Sequence, residues 1–141
     1  MSPNLRRFLP LMLLAAILIF VVPSVFKKKS TSNGCHPGQT AKCTDAYLVN
    51  INLSGVKLTN AVFAHADLAG ADLHNADLTG ASLAGADVSG ADLAGATLTR
   101  TGLRGTNLTG ADLTGAIGAN LSGAVVCHTL LPSGRFPVHD C

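Results

Sequence analysis

Residues 46–115 read AYLVN INLSG VKLTN AVFAH ADLAG ADLHN ADLTG ASLAG ADVSG ADLAG ATLTR TGLRG TNLTG ADLTG, fourteen blocks of five without a gap. The third position is Leu in twelve of the fourteen, with Phe63 and Val88 as the exceptions, and the first is Ala in ten. The second is Asp or Asn in eight and the fifth is Gly in nine. A period of five matches neither the 3.6-residue turn of a helix nor the two-residue alternation of a strand. On a helix the leucines would step about 500° apart and spread around the whole surface. Glycine in most blocks would also cost about 1 kcal/mol each in a helix interior. The arrangement that satisfies the period is a solenoid in which each block forms one side and then turns a corner. First and third positions point inward, and Gly at the fifth takes the turn dihedrals.

The predicted core is the third-position column: Leu48, Leu53, Leu58, Phe63, Leu68, Leu73, Leu78, Leu83, Val88, Leu93, Leu98, Leu103, Leu108 and Leu113. Each buried Leu contributes roughly 1.5–3 kcal/mol, enough together for a narrow core. The register breaks at Ala116-Ile117-Gly118 and resumes with ANLSG (119–123) and AVVCH (124–128). This reads as a three-residue bulge at one corner followed by a last half-coil.

The tandem motif A-[DN]-L-x-x resembles the pentapeptide repeat proteins, tightly over 46–115 and loosely to about 134. The resemblance implies an all-β fold, a right-handed quadrilateral β-helix with four blocks per coil, here about 3.5–4 coils. At a strand spacing of about 4.8 Å the fourteen blocks would stand roughly 17 Å tall. Residues i and i+20 then stack. Asp72, Asp92 and Asp112 fall in one column with Asn52, and Asp67, Asp87 and Asn107 in another on the neighbouring face. Asp67, Asp72, Asp87, Asp92 and Asp112 thus form a candidate acidic binding face. The alternative is that these side chains support the corners by hydrogen bonds to nearby backbone, as short polar residues do in turns. Interchange of Asp and Asn at the position favours the turn role.

The rest of the chain divides into a membrane segment with basic flanks (1–29), a linker and N-terminal cap (30–45), the solenoid (46–128) and a C-terminal cap or tail (129–141). Residues 8–26, FLPLMLLAAILIFVVPSVF, are uncharged and lie between Arg6-Arg7 and Lys27-Lys28-Lys29. About 20 apolar residues cross a bilayer as a helix, so one N-terminal transmembrane helix is expected here. Val22-Pro23-Ser24 is a poor cleavage site, and three lysines directly after suit an uncleaved anchor at the headgroups. The basic flanks nearly balance, so the positive-inside rule does not decide the orientation. The cysteines tip it. Cys35, Cys43, Cys127 and Cys141 all follow the apolar segment, none within 46–115, and an even number suits an oxidising compartment. Four cysteines allow three pairings; proximity in sequence favours 35–43 and 127–141, one at each end of a stack that needs caps. The expected localisation is a single-pass membrane protein with an extracytoplasmic domain.

Charge and composition narrow the function. The first 29 residues carry five bases and no acid, while the remainder carries five bases against eight Asp. A domain of net −3 has no electrostatic reason to seek nucleic acid. His36, His65, His74, His128 and His139 share no column or metal-ligand spacing, so no metal or other cofactor is expected. The Ser and Thr residues lack a partnered base, and the glycines follow the repeat rather than a phosphate loop. No enzyme is expected. The sequence points to a scaffold or interaction module with an unidentified protein partner, and exposed strand edges at an imperfect cap leave a homodimer open. The resemblance supplies an alternative: some relatives mimic duplex DNA and bind topoisomerases such as gyrase, a role that would require a cytoplasmic domain.

Overall fold

A computed structural model describes residues 41–135 and Cys141, all within the second of the chain's two units, Thr31–Cys141. The expected transmembrane helix over 8–26 lies outside the described residues. Among those described, no helix is long and apolar enough to cross a membrane.

The described chain is a repeat β-helix. Each second-position residue from Lys42 to Thr97 pairs in parallel with the residue twenty further on, as in Tyr47↔Asp67, Asp67↔Asp87 and Asp87↔Asn107. Twenty residues therefore make one coil of four sides. Face 1 stacks blocks 41–45, 61–65, 81–85 and 101–105, and face 2 stacks 46–50, 66–70, 86–90 and 106–110. Face 3 stacks 51–55, 71–75, 91–95 and 111–115, and face 4 stacks 56–60, 76–80 and 96–100.

The backbone donors of a single block explain the period. In block 91–95, Ala91 N–H closes the corner on Val88 O at 3.2 Å, and Asp92 N–H donates to Ala71 O in the coil before at 3.0 Å. Leu93 and Gly95 donate to Asp112 O and Thr114 O in the coil after, at 2.7 and 2.9 Å. One N–H is left, that of Ala94, and it donates to Asp92 Oδ1 at 2.9 Å. A buried or half-buried peptide group needs a partner. The ladder between coils satisfies three of the five and the corner bond a fourth, and a short acceptor at the second position satisfies the fifth.

The fifth position takes a left-handed conformation in every block from 41–45 to 111–115, with φ +65° at Gly55 and +71° at Gly80. Where Gly is absent, Asn50, Asn60, Asn75, His65, Asp45 and Arg100 adopt φ between +54° and +59°. Asn and Asp tolerate this region best among residues that carry a β-carbon.

The interior is a stack of third-position side chains flanked by first-position alanines. All fourteen expected core residues are buried, from Leu48 to Leu113, and Phe63, Leu68 and Leu83 have no exposed surface. Thr101 and Thr106 take the Ala position and are buried too. Their hydroxyls donate to Leu78 O at 2.8 Å and Leu83 O at 2.7 Å, so their burial leaves no polar atom without a partner.

The solenoid differs from the sequence reading at both ends. It begins one block earlier, at Ala41, where AKCTD has the same turns and bridges as the later blocks. Cys43 therefore occupies a core position, 1% exposed, stacked with Phe63 rather than lying in a linker. At the other end, Ala116-Ile117-Gly118 is a shortened block, not an inserted bulge. Ile117 still pairs with Thr97, twenty residues earlier, but the next pairs are Asn107↔Val125 and Asp112↔Leu130, eighteen apart. The block keeps its buried first residue, its bridging second and a left-handed Gly118 at φ +72°, and lacks a core residue. Three further blocks follow rather than two: 119–123, 124–128 and 129–133. The last was expected as tail, but Thr129 is fully buried, with its hydroxyl on Leu108 O at 2.7 Å.

Candidate functional site

The outer surface is made of second-, fourth- and fifth-position side chains, and the carboxylates stand in two of its columns. On face 2 the second positions run Tyr47, Asp67, Asp87, Asn107 and Val125; on face 3 they run Asn52, Asp72, Asp92, Asp112 and Leu130. The five aspartates singled out from the sequence are thus brought onto two adjacent faces, three in one column and two in the other. Direct neighbours in a column sit about 4.8 Å apart, the spacing of paired strands.

Each of these carboxylates has a structural task. Asp67, Asp72, Asp87, Asp92 and Asp112 accept the N–H of Ala69, His74, Ser89, Ala94 and Thr114 through Oδ1, at 2.8–3.3 Å. Asn52, Asn107 and Asn120 do the same at 3.0–3.1 Å. The amide of Asn107 also donates to Asp87 Oδ1 at 3.1 Å, which links two coils along face 2. The turn role is therefore the one the geometry displays. It engages one oxygen of each Asp, so the columns remain acidic toward solvent.

Two carboxyls are held below the usual Asp range. For Asp112 the causes, in order, are the Thr114 hydroxyl and the Thr114 N–H, opposed by desolvation, with a small contribution from His74. Asp77 on face 4 is lowered by the Thr79 hydroxyl and N–H in the same way, with help from Lys57, its bridge partner. His74 Nδ1 lies 3.9 Å from Asp92 Oδ1, an ion pair when the imidazole is protonated.

The described histidines, His65, His74 and His128, do not form a metal-binding cluster. Among the described residues no three His, Cys, Asp or Glu are placed to hold a metal ion. His65 takes the left-handed fifth position, where its ring lies beside Gly85. Large apolar side chains exposed among the described residues are Tyr47, Ile117 and Val125, the last two on the final turns.

The described cysteines, Cys43, Cys127 and Cys141, sit toward the two ends. Cys127 and Cys141 form a disulfide with Cα atoms 5.4 Å apart. Cys43 is also disulfide-bonded, while Cys35, its expected partner, lies outside the described residues. Sequence reasoning missed that Cys43 is a core residue; its signal was the Ala two residues before it, in phase with the later blocks.

Twenty-residue coils, left-handed corners and an Ala/Leu interior together define a pentapeptide-type β-helix solenoid. Pentapeptide repeats match in eight copies over residues 41–80, 76–115 and 94–131, and the chain belongs to the pentapeptide repeat family. Among solved structures it is similar to Rfr23, a pentapeptide repeat protein from the cyanobacterium Cyanothece 51142, at 30% identity and a TM-score of 0.52. That match covers 61% of this chain and 54% of Rfr23, so the chain spans about half the length of that structure. A pentapeptide repeat protein of the Arabidopsis thaliana thylakoid lumen is 29% identical with a TM-score of 0.40, covering 76% of this chain and 78% of that one. Full-length QnrB1, a plasmid-mediated fluoroquinolone resistance protein, is 18% identical with a TM-score of 0.40, covering 62% and 56%. No curated protein matches the chain.

Proposed function

We propose that the chain is a membrane-tethered, extracytoplasmic scaffold or protein-interaction module without enzymatic activity. The observation that carries this reading is the oxidised state of the domain's cysteines: Cys127–Cys141 is bridged and Cys43 is disulfide-bonded. Such bonds persist in compartments outside the reducing cytosol. The uncharged stretch 8–26 between basic flanks supplies the tether. The solenoid interior is filled by leucine and alanine, and its outer faces carry short polar side chains set in turns. A surface of this kind engages a partner by shape and charge rather than by enclosing a substrate.

Two fractionation experiments test the reading. Alkaline carbonate washing of membranes from expressing cells should leave the full chain in the pellet. External protease added to spheroplasts should degrade the repeat domain while sparing a cytosolic control. Release by carbonate would contradict the tether. Protection until lysis would contradict the orientation and return attention to a topoisomerase partner.

A further inference from the structure

The charges of the solenoid are sorted by face. Faces 2 and 3, followed through the blocks 124–128 and 129–133 that continue them, carry Asp67, Asp72, Asp87, Asp92 and Asp112 and no Lys or Arg. Faces 1 and 4 carry Lys42, Lys57, Arg100 and Arg104 against Asp45 and Asp77, a net of +2. Arg135, the remaining base among the described residues, follows the last block. All four bases on faces 1 and 4 are exposed. One side of the prism therefore carries five Asp and no Lys or Arg while the opposite side is net basic; the aspartates recur in columns at the strand spacing, and each base stands alone in its column.

From this opposition we propose that the solenoid associates side by side with a second copy of itself, the acidic faces of one copy against the basic faces of the other. The complementarity is internal to the chain. Because the aspartates recur at about 4.8 Å along the axis, a single base on one copy meets a carboxylate at more than one coil offset. The pairing is head-to-tail around the prism rather than two-fold, so the bound pair still exposes one acidic side, on one copy, and one basic side, on the other. A pair of faces measures roughly 20 Å by 20 Å on strand dimensions. That buries about 400 Å² on each copy, below the range of stable specific interfaces, and it is held by exposed charges, so the contact is weak and salt-sensitive. Confinement of many copies in one plane raises their effective concentration and suits such a contact.

The test uses the full chain in a non-ionic detergent, followed by sedimentation velocity at about 20 mM and about 500 mM NaCl, where screening is respectively weak and strong. Association is expected at low salt and a several-fold loss of it at high salt. A chain that is monomeric at both salts, or equally associated at both, overturns the proposal. Three variants identify the surfaces. In the first, the five aspartates of faces 2 and 3 are replaced by Asn, which keeps the turn acceptor and removes the charge; this variant should fold by circular dichroism and fail to associate. The second is Lys57→Glu with Arg100→Glu, and the third is Asp72→Lys with Asp92→Lys. Each of these should be monomeric alone, and mixing the second with the third should restore association. Association of the Asn variant as strong as that of the unaltered chain, or no recovery in a mixture of two folded variants, overturns the assignment. Because the assay is run in detergent, its outcome is independent of the membrane and orientation readings.

Discussion

Asp92 Oδ1 accepts the N–H of Ala94 at 2.9 Å, taking up the one backbone donor that the coil-to-coil ladder and the corner bond of its block leave over. The same bond recurs wherever Asp or Asn holds the second position. It gives the acidic columns a cause that is local rather than electrostatic.

Asp92→Asn and Asp92→Ala should therefore separate cleanly. The amide keeps the acceptor and relieves repulsion from Asp72 and Asp112, its column neighbours, so stability should hold or rise slightly. Alanine leaves the Ala94 N–H to solvent and should cost about 0.5–1.5 kcal/mol. Urea unfolding followed by circular dichroism gives both numbers. Equal losses for the two variants would mean that charge, not turn geometry, selects Asp here.

Acid should weaken the fold through Asp77 and Asp112. Both carboxyls lie below their ordinary value because neighbouring Thr hydroxyls and N–H groups stabilise the ionised form. A depressed folded-state pKa contributes stability above the unfolded value of about 3.9, and that contribution is lost as pH falls through the folded value. The melting temperature should be flat from neutral pH down to about 5 with respect to these groups, then decline below about 4. Asp77→Asn together with Asp112→Asn should flatten that decline. A melting temperature that drops as steeply in the double variant would assign the loss to other carboxyls.

Glycine at the corners is not uniform. A β-carbon on Gly90, at φ +62°, would meet nothing within 4 Å, whereas one on Gly80, at φ +71°, would collide with the side-chain oxygen of Asn60 in the coil before. Gly90→Ala should cost only the left-handed backbone penalty of about 1–2 kcal/mol. Gly80→Ala should cost more, and Asn60→Gly in the same chain should recover the excess. A double-mutant cycle measures that coupling. Additive effects would show that Asn60 moves aside freely.

Replacing Cys127 and Cys141 together by Ser should act locally. A disulfide closing a loop of this length contributes about 3 kcal/mol, and in a solenoid each coil leans mainly on its neighbours. Hydrogen exchange should quicken over 119–133 and stay slow over 61–100. Uniform acceleration along the chain would show that the domain unfolds as one unit.

The reach of the sequence reading follows from how the repeat works. Period five, inward first and third positions and glycine corners were all legible because each block solves the same backbone problem with the same residues. Departures were harder where a residue fits the geometry without resembling the motif. Cys43 is as small and apolar as the site needs, yet a cysteine before the run reads as a cap. Thr129 fits the Ala site because its hydroxyl finds the Leu108 carbonyl, a partner that only the stacked coils supply. The three residues 116–118 read as an insertion because the motif resumes after them; the strand pairing counts them as a block that has lost two. At the candidate surface, the columns could be written down once four blocks per coil were assumed. The satisfied oxygen on each Asp, and the sorting of bases to the opposite faces, needed the coils in place.

The measurement that bears most directly on the proposed role is thiol accessibility in intact cells. A membrane-impermeant maleimide is applied with and without external reductant, beside a cytosolic control protein. The account predicts labelling of the chain after external reduction and none without it, with the control unlabelled throughout. Labelling that requires lysis and no reductant would place free thiols in the cytoplasm and contradict the account.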